Sequence, residues 1–363
     1  MKISTICVHS EKNELDALGA VSTPIYQSAT FARKAVGAGS GYDYSRLQNP
    51  TREKVESVVC SLESGVDAIA FASGMAALTV LMELFEPGDH LLASDDLYGG
   101  SIRLFRNISA KNGIIVEFIN TSDSDVIEQR IRANTKAIFI ETPTNPTMQL
   151  TDIEKVAQIA NSAEVLLIVD NTFLTPYLQQ PLLLGADIVL HSGTKFLSGH
   201  NDTLSGFLVV NSQALSERLR FIAKTVGACL APFDSWLVIR GIKTLALRME
   251  KQQENTRAIV AWLQQRPEIK KVYYPGMGAM VAIECQSEQM AIQVLEQVQL
   301  IFFAESLGGT ETLITYPYLQ THGDVPVEMR LEKGINEKLL RISVGIEDVA
   351  DLIEDLAQAL TSK

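Results

Sequence analysis

The chain has 363 residues, 46% of them hydrophobic, and a formal charge of −12 from 31 basic and 43 acidic side chains. That length and apolar share suit a large buried core, most naturally one large domain and a smaller one. The acidic balance, with no basic run longer than two residues, argues against nucleic-acid binding, and the lack of any 18-residue apolar stretch argues against a membrane span.

The start, Met1-Lys2-Ile3-Ser4-Thr5, leads to His9 and the charged run Glu11-Lys12-Asn13-Glu14 rather than to an apolar export segment, so a cytoplasmic location is expected. Residues 1–50 are rich in Gly, Ser, Pro and aromatic side chains, as in Tyr26-Gln27-Ser28-Ala29-Thr30-Phe31 and Gly41-Tyr42-Asp43-Tyr44-Ser45-Arg46. Such a segment makes no core of its own and is expected to lie over another surface, as an arm reaching a second subunit would.

From residue 51 onward short apolar runs alternate with helix-like stretches. Strands are expected at 68–72, 90–93, 137–141, 165–170, 188–191 and 207–210, with a helix over 153–160 among those between them. Runs this short and this apolar read as a largely parallel sheet covered on both faces. Between residues 236 and 257 the pattern lengthens to helical periodicity, which marks the passage from a large domain (51–240) to a C-terminal one (241–363). The latter holds expected strands at 280–284 and 340–344. It closes on a helix with Val349, Leu352, Ile353, Leu356 and Leu360 on one face and Glu347 and Asp348 near its start. Cys7, Cys60, Cys229 and Cys285 are far apart and form no CxxC or Cys/His cluster, which predicts reduced thiols, no disulfide scaffold and no metal site.

Asp170 closes an apolar strand, where ligands of open α/β sheets sit. A carboxylate there needs a positive or donating partner, and a protonated pyridine nitrogen is one; a strand-end turn through Asn171 and Thr172 is the alternative. Lys195 follows the next strand, where its amine is placed to form an imine with a cofactor aldehyde and to carry protons. Ser192 and Thr194 alternate with it as hydroxyls for a phosphate. Ser73-Gly74-Met75 opens a helix whose free N–H groups favour an anion, but GxGxxG and GxxxxGK[ST] patterns are absent. Tyr98, before Gly99 and Gly100, is a ring-stacking candidate, and Arg341 is a fork for a substrate carboxylate.

These segments, in order, resemble the cystathionine synthase and lyase family of pyridoxal-phosphate enzymes over nearly the whole chain. Tyr44-Ser45-Arg46, Asn49-Pro50-Thr51-Arg52, Glu141-Thr142-Pro143-Thr144-Asn145-Pro146, Val169-Asp170-Asn171-Thr172-Phe173 and His191-Ser192-Gly193-Thr194-Lys195 carry the likeness, with Ser73-Gly74-Met75-Ala76-Ala77 and Asp96-Leu97-Tyr98-Gly99-Gly100. The resemblance implies an aspartate-aminotransferase-like, fold type I α/β architecture, with a mostly parallel seven-stranded sheet and a smaller C-terminal α/β domain. It implies that Lys195 holds pyridoxal 5'-phosphate covalently, that Asp170 pairs with its ring nitrogen and that Tyr98 stacks on the ring. Ser73, Gly74, Met75, Ser192 and Thr194 then cradle the phosphate, joined by Tyr44 and Arg46 of a neighbouring subunit. Asn145 and Arg341 correspond to residues near the ring hydroxyl and the substrate α-carboxylate. Active sites shared between two chains imply dimers, which the family commonly pairs into homotetramers.

Ala304-Glu305-Ser306-Leu307-Gly308-Gly309 resembles the entrance segment of cystathionine γ-synthases and γ-lyases, whereas enteric-type β-lyases have Tyr-Ser-Trp-Gly there. Glu305, Ser306 and Arg103 are therefore candidate substrate contacts, with Glu305 and Arg103 opposed across a long zwitterion. The expected reaction is γ-replacement on an O-acyl-L-homoserine by L-cysteine. Cleavage of cystathionine as a β- or γ-lyase, O-acetylhomoserine sulfhydrylase activity and a non-catalytic scaffold are the alternatives. Two departures stand out: only Met277-Gly278 separates Gly276 from Ala279, where many relatives carry about twenty more residues, and residues 315–324 resemble the compact bacterial synthase branch.

Overall fold

The computed structural model describes residues 1–9 and 18–361; the charged run at 11–14 lies outside them. The apolar runs form β1 (Asp67–Phe71), β2 (His90–Ser94), β3 (Ile115–Ile119), β4 (Thr135–Glu141), β5 (Leu166–Asp170), β6 (Ile188–Ser192) and β7 (Gly206–Val210). They make one sheet in the order β1-β7-β6-β5-β4-β2-β3. Only β7 runs against its neighbours β1 and β6; the remaining pairings are parallel.

Helices on both faces explain why the interior strands β5, β6 and β7 are almost wholly apolar. Ile168 shares a core with Leu78 and Leu81 of the helix Gly74–Met82, while Leu167 and Val169 share another with Ile153 and Val156 of the helix Ile153–Ser162. Each such side chain contributes about 1.5–3 kcal/mol on burial. A one-residue slip of β5 exchanges the two faces, so the same burial that specifies the register also aims Asp170.

A second sheet has the order β10-β11-β12-β9-β8. Its strands are β8 (Ile269–Tyr273), β9 (Met280–Cys285), β10 (Phe302–Phe303), β11 (Leu313–Thr315) and β12 (Leu339–Ser343). The helices Pro232–Ile242 and Leu245–Leu263 precede it, where the periodicity lengthens, and Val349–Thr361 closes the described chain. The shortened segment is a turn between β8 and β9, in which Gly276 and Gly278 take φ of 85° and 78°.

Residues 18–49 contain little regular structure, and Tyr26, Val36, Tyr44 and Leu47 are exposed. Among the described residues no helix is long and apolar enough to cross a membrane, and no group of three or more His, Cys, Asp and Glu side chains gathers as metal ligands. Among the described residues no disulfide joins Cys7, Cys60, Cys229 or Cys285.

Candidate active site

Glu141, Asp170 and Ser192 end β4, β5 and β6, and Glu141 lies opposite Asp170 in the register. The carboxyl edge of the sheet thus opens into a cavity of about 190 Å³. Asp170 Oδ1 accepts from Thr172 N at 3.0 Å and Thr172 Oγ1 at 2.6 Å, and that hydroxyl accepts in turn from Ser192 N at 2.9 Å. The turn through Asn171 and Thr172 therefore exists, and the carboxylate still lines the cavity. Burial raises the Asp170 pKa above the usual carboxylate range, against the Thr172 bonds and the nearby His191. Glu141 is raised further, first by burial and then by Asp170, although Tyr98 N donates to its Oε2 at 3.0 Å.

Lys195 enters the same space from the turn after β6. Its Nζ donates to Ser306 Oγ at 3.0 Å. Burial, then the Arg341 charge, bring its pKa down to about 8, with Glu305 acting in the other direction. This amine is poised near neutrality. Tyr98 also lines the cavity, and its phenol pKa is raised by burial and by Glu305 while Arg103 and Arg341 pull it down. The glycines beside it serve close contacts: a Cβ on Gly99 would stand 2.1 Å from Thr321 O, and one on Gly100 would stand 2.4 Å from Tyr98 Cε1.

The helix Gly74–Met82 starts at the cavity wall because Ser73 caps it, its Oγ accepting from Ala76 N at 3.0 Å. Close packing fixes this turn against β6 and β7. A Cβ on Gly206 would lie 2.1 Å from Ser73 O, and one on Gly74 would lie 2.9 Å from Ser192 Cβ. Ser192 and Thr194 line the cavity beside it, and Thr194 Oγ1 is braced by Ser205 N at 3.0 Å.

Arg341, buried on β12, supplies the wall from the second sheet. Its Nη1 donates to Asn145 Oδ1 at 2.9 Å, and its Nη2 donates to Ser306 O at 3.0 Å and Thr315 Oγ1 at 3.3 Å. Its buried Nε has no hydrogen-bond partner among the described residues, and burial lowers its pKa to about 10. Asn145, Glu305 and Ser306 line the cavity as well.

Three candidates stand apart from this cavity's lining. Tyr44 and Arg46 lie together on the arm, the guanidinium 5.5 Å from the ring centroid, and Arg46 Nη1 donates to Lys224 O. Arg103 makes an ion pair with Asp324 at 2.6 Å. Sequence reading gave no role to Glu141, Ser101 or Phe173 and only a turn to Thr172, yet all four share the cavity wall. For Glu141 the available signal was a strand-end acid on the neighbouring strand.

These groups fit pyridoxal phosphate. A buried amine whose pKa is brought down to about 8 suits its aldehyde, a buried carboxylate bonded to no cationic side chain among the described residues suits its ring nitrogen, and a capped helix start suits its phosphate. Residues 4–361 match the family described as Cys/Met metabolism PLP-dependent enzyme, PLP being pyridoxal phosphate. The chain belongs to this family. The cystathionine gamma-synthase/O-acetylhomoserine (thiol)-lyase of Bacillus subtilis (strain 168) is 50% identical over 345 residues, 95% of this chain and 92% of the relative. The cystathionine gamma-lyase of the same organism is 48% identical over 376 residues, 99% of each. The crystal structure of cystathionine gamma-lyase from Lactobacillus plantarum complexed with L-serine superposes with a TM-score of 0.97 at 41% identity, covering 100% of this chain and 99% of that one. This Cys/Met metabolism enzyme accordingly has fold type I, uses pyridoxal phosphate and acts in carbon–sulfur chemistry on small amino acids.

Proposed function

We propose that the enzyme is a cystathionine gamma-synthase: L-cysteine replaces the acyloxy group at the γ-carbon of an O-acyl-L-homoserine, giving L-cystathionine and the free carboxylic acid. The observation that carries this reading is Glu305 in the cavity wall, within a segment resembling that of γ-synthases and γ-lyases. A carboxylate there suits the ammonium of the incoming L-cysteine, which becomes the distal head of cystathionine. The 50% identical relative named for both synthase and thiol-lyase activity supports the synthase direction and extends the reading to sulfide as an acceptor. Cleavage of cystathionine at Cβ–S or Cγ–S is the second reading, favoured by a γ-lyase relative that is 48% identical. A scaffold has no use for Lys195, Asp170 and Tyr98 around one cavity.

Bound pyridoxal phosphate supplies an aldehyde for amines and a ring that withdraws electrons from the substrate α-carbon. Lys195 is assigned the covalent attachment and then the proton transfers, for which a pKa of about 8 is well matched. Ser306 Oγ orients that amine. Arg341 and Asn145 receive the α-carboxylate. Asp170 keeps the ring nitrogen protonated, and Tyr98 covers the ring and assists proton movement. Ser73, Gly74, Met75, Ser192 and Thr194 hold the phosphate on the helix start. Residues 51–240 form the cofactor-binding domain and 241–363 the C-terminal one in this reading. The arm of residues 1–50, exposed at Tyr44, brings Tyr44 and Arg46 to the site of a second copy within a homotetramer built as a dimer of dimers in this reading. This reading places the enzyme in the cytoplasm, where cysteines stay reduced.

Parallel assays with O-acetyl- or O-succinyl-L-homoserine plus L-cysteine, and with L-cystathionine alone, test the direction. The reading predicts a larger kcat/KM for cystathionine formation. Faster release of ammonia with pyruvate or 2-oxobutyrate from cystathionine overturns it.

A further inference from the structure

One buried imidazole joins the two sheets at the cavity wall. His322 is 1% exposed and lies in the segment that follows β11. Its Nε2 lies 3.0 Å from Leu97 O and 3.1 Å from Asn145 O, and its Nδ1 lies 2.9 Å from Thr321 Oγ1. Carbonyl oxygens only accept, so Nε2 carries the hydrogen and donates to both, and Nδ1 accepts from the Thr321 hydroxyl. Burial, the larger influence, brings the pKa to about 4, which agrees with a neutral ring.

The two carbonyls belong to the loops after β2 and β4. Leu97 immediately precedes Tyr98, and Asn145 is held at its side-chain oxygen by Arg341 Nη1 at 2.9 Å. Asn145 is thus gripped at both its oxygens by the second sheet's side of the cavity. Contact beside Tyr98 leaves no room for a side chain, because a Cβ on Gly99 would stand 2.1 Å from Thr321 O.

We propose that His322 is a positioning residue for substrate: it locks the Tyr98 and Asn145 loops against the segment that follows β11, so that Arg341 and Asn145 present one fixed geometry to the α-carboxylate. This rests on the reading of Arg341 and Asn145 as the carboxylate site. Removing the ring leaves two buried carbonyls without a donor, and cofactor attachment at Lys195 and the helix start is untouched.

The test uses the cofactor-loaded enzyme, with glycine as probe, followed through the visible absorption band, and dialysis to measure cofactor retention. His322→Ala is expected to weaken glycine binding and raise the substrate KM about tenfold, with cofactor retention near that of the parent. His322→Gln, whose amide nitrogen matches the reach of Nε2, recovers most of the affinity. Gly99→Ala pushes Thr321 away without altering the ring and gives the same weakening, which keeps the test decisive where His322→Ala folds poorly. Parent-like glycine affinity in His322→Ala, parallel loss of cofactor, or a Gln variant no better than Ala overturns the proposal. Unchanged glycine affinity in an Arg341→Lys control overturns the carboxylate reading itself and this proposal with it.

Discussion

Replacing Ser306 separates two things that this residue does. Its backbone has φ of 129°, where a side chain is strained, and its Oγ accepts from Lys195 Nζ at 3.0 Å. The segment cannot relax freely, because Arg341 Nη2 donates to Ser306 O at 3.0 Å and Gly308 N donates to Ser343 Oγ at 2.7 Å. Ser306→Ala keeps the strain and loses the bond, while Ser306→Gly loses both. A buried hydrogen bond from a charged group contributes about 1.5–3 kcal/mol. If it is spent on orienting the amine, both variants slow proton transfer by about tenfold to a hundredfold. Strain at such a φ costs about 1–3 kcal/mol, and glycine returns about 0.5–1 kcal/mol of it through the entropy of the unfolded chain. The apoprotein with Gly is therefore expected to melt above the one with Ala. Exchange of the substrate α-proton in D2O, followed by NMR, reads the first effect, and thermal unfolding reads the second. Exchange at the parent rate in Ser306→Ala, or an Ala variant that melts above the Gly variant, refutes the reasoning.

Three further outcomes follow from the same geometry. Asp170→Ala is expected to release pyridoxal phosphate faster on dialysis and to slow α-proton exchange; unchanged retention contradicts the assigned pairing. Gly206→Ala sets a Cβ 2.1 Å from Ser73 O, so we expect a loss of about 1–3 kcal/mol in stability and weaker cofactor binding; a parent-like melting temperature counts against the packing described. For pH, burial holds Glu141 and Asp170 above their ordinary values in the folded chain. Their contribution is full below the unfolded carboxylate pKa, about 4, and is lost as pH rises through the folded values. Lys195 acts oppositely and higher, adding stability between about 8 and its ordinary 10.5. Apoprotein melting should fall as pH rises above about 4, with Glu141→Gln flattening the slope; a flat profile in the parent refutes this.

The strands that position the chemistry were legible because they are buried on both faces, so that 165–170 and 188–191 read as unbroken apolar runs and become Leu166–Asp170 and Ile188–Ser192. Two of the edge strands were not. Ile115–Ile119 contains Glu117 and an exposed Ile115, and Ile269–Tyr273 carries the exposed Lys270 and Lys271, so neither stood out as a run. Phe302–Phe303 and Leu313–Thr315 are too short to show a period. Within the site, Lys195 and Asp170 were visible from their places after strands. The role of Glu141 needed the register that sets it beside Asp170, and that of His322 needed a contact spanning 225 residues of sequence. Arg103 was placed opposite Glu305 by chemistry alone, and its ion pair with the distant Asp324 had no signal in the sequence.

Everything proposed for this enzyme passes through the amine of Lys195. Borohydride reduction of the loaded protein, followed by peptide mass spectrometry, tests that directly. We expect bleaching of the visible band and a reduced pyridoxal-phosphate adduct on Lys195, both absent from Lys195→Ala along with at least about a hundredfold in turnover. An adduct mapped to another lysine, or full turnover in Lys195→Ala, contradicts the account.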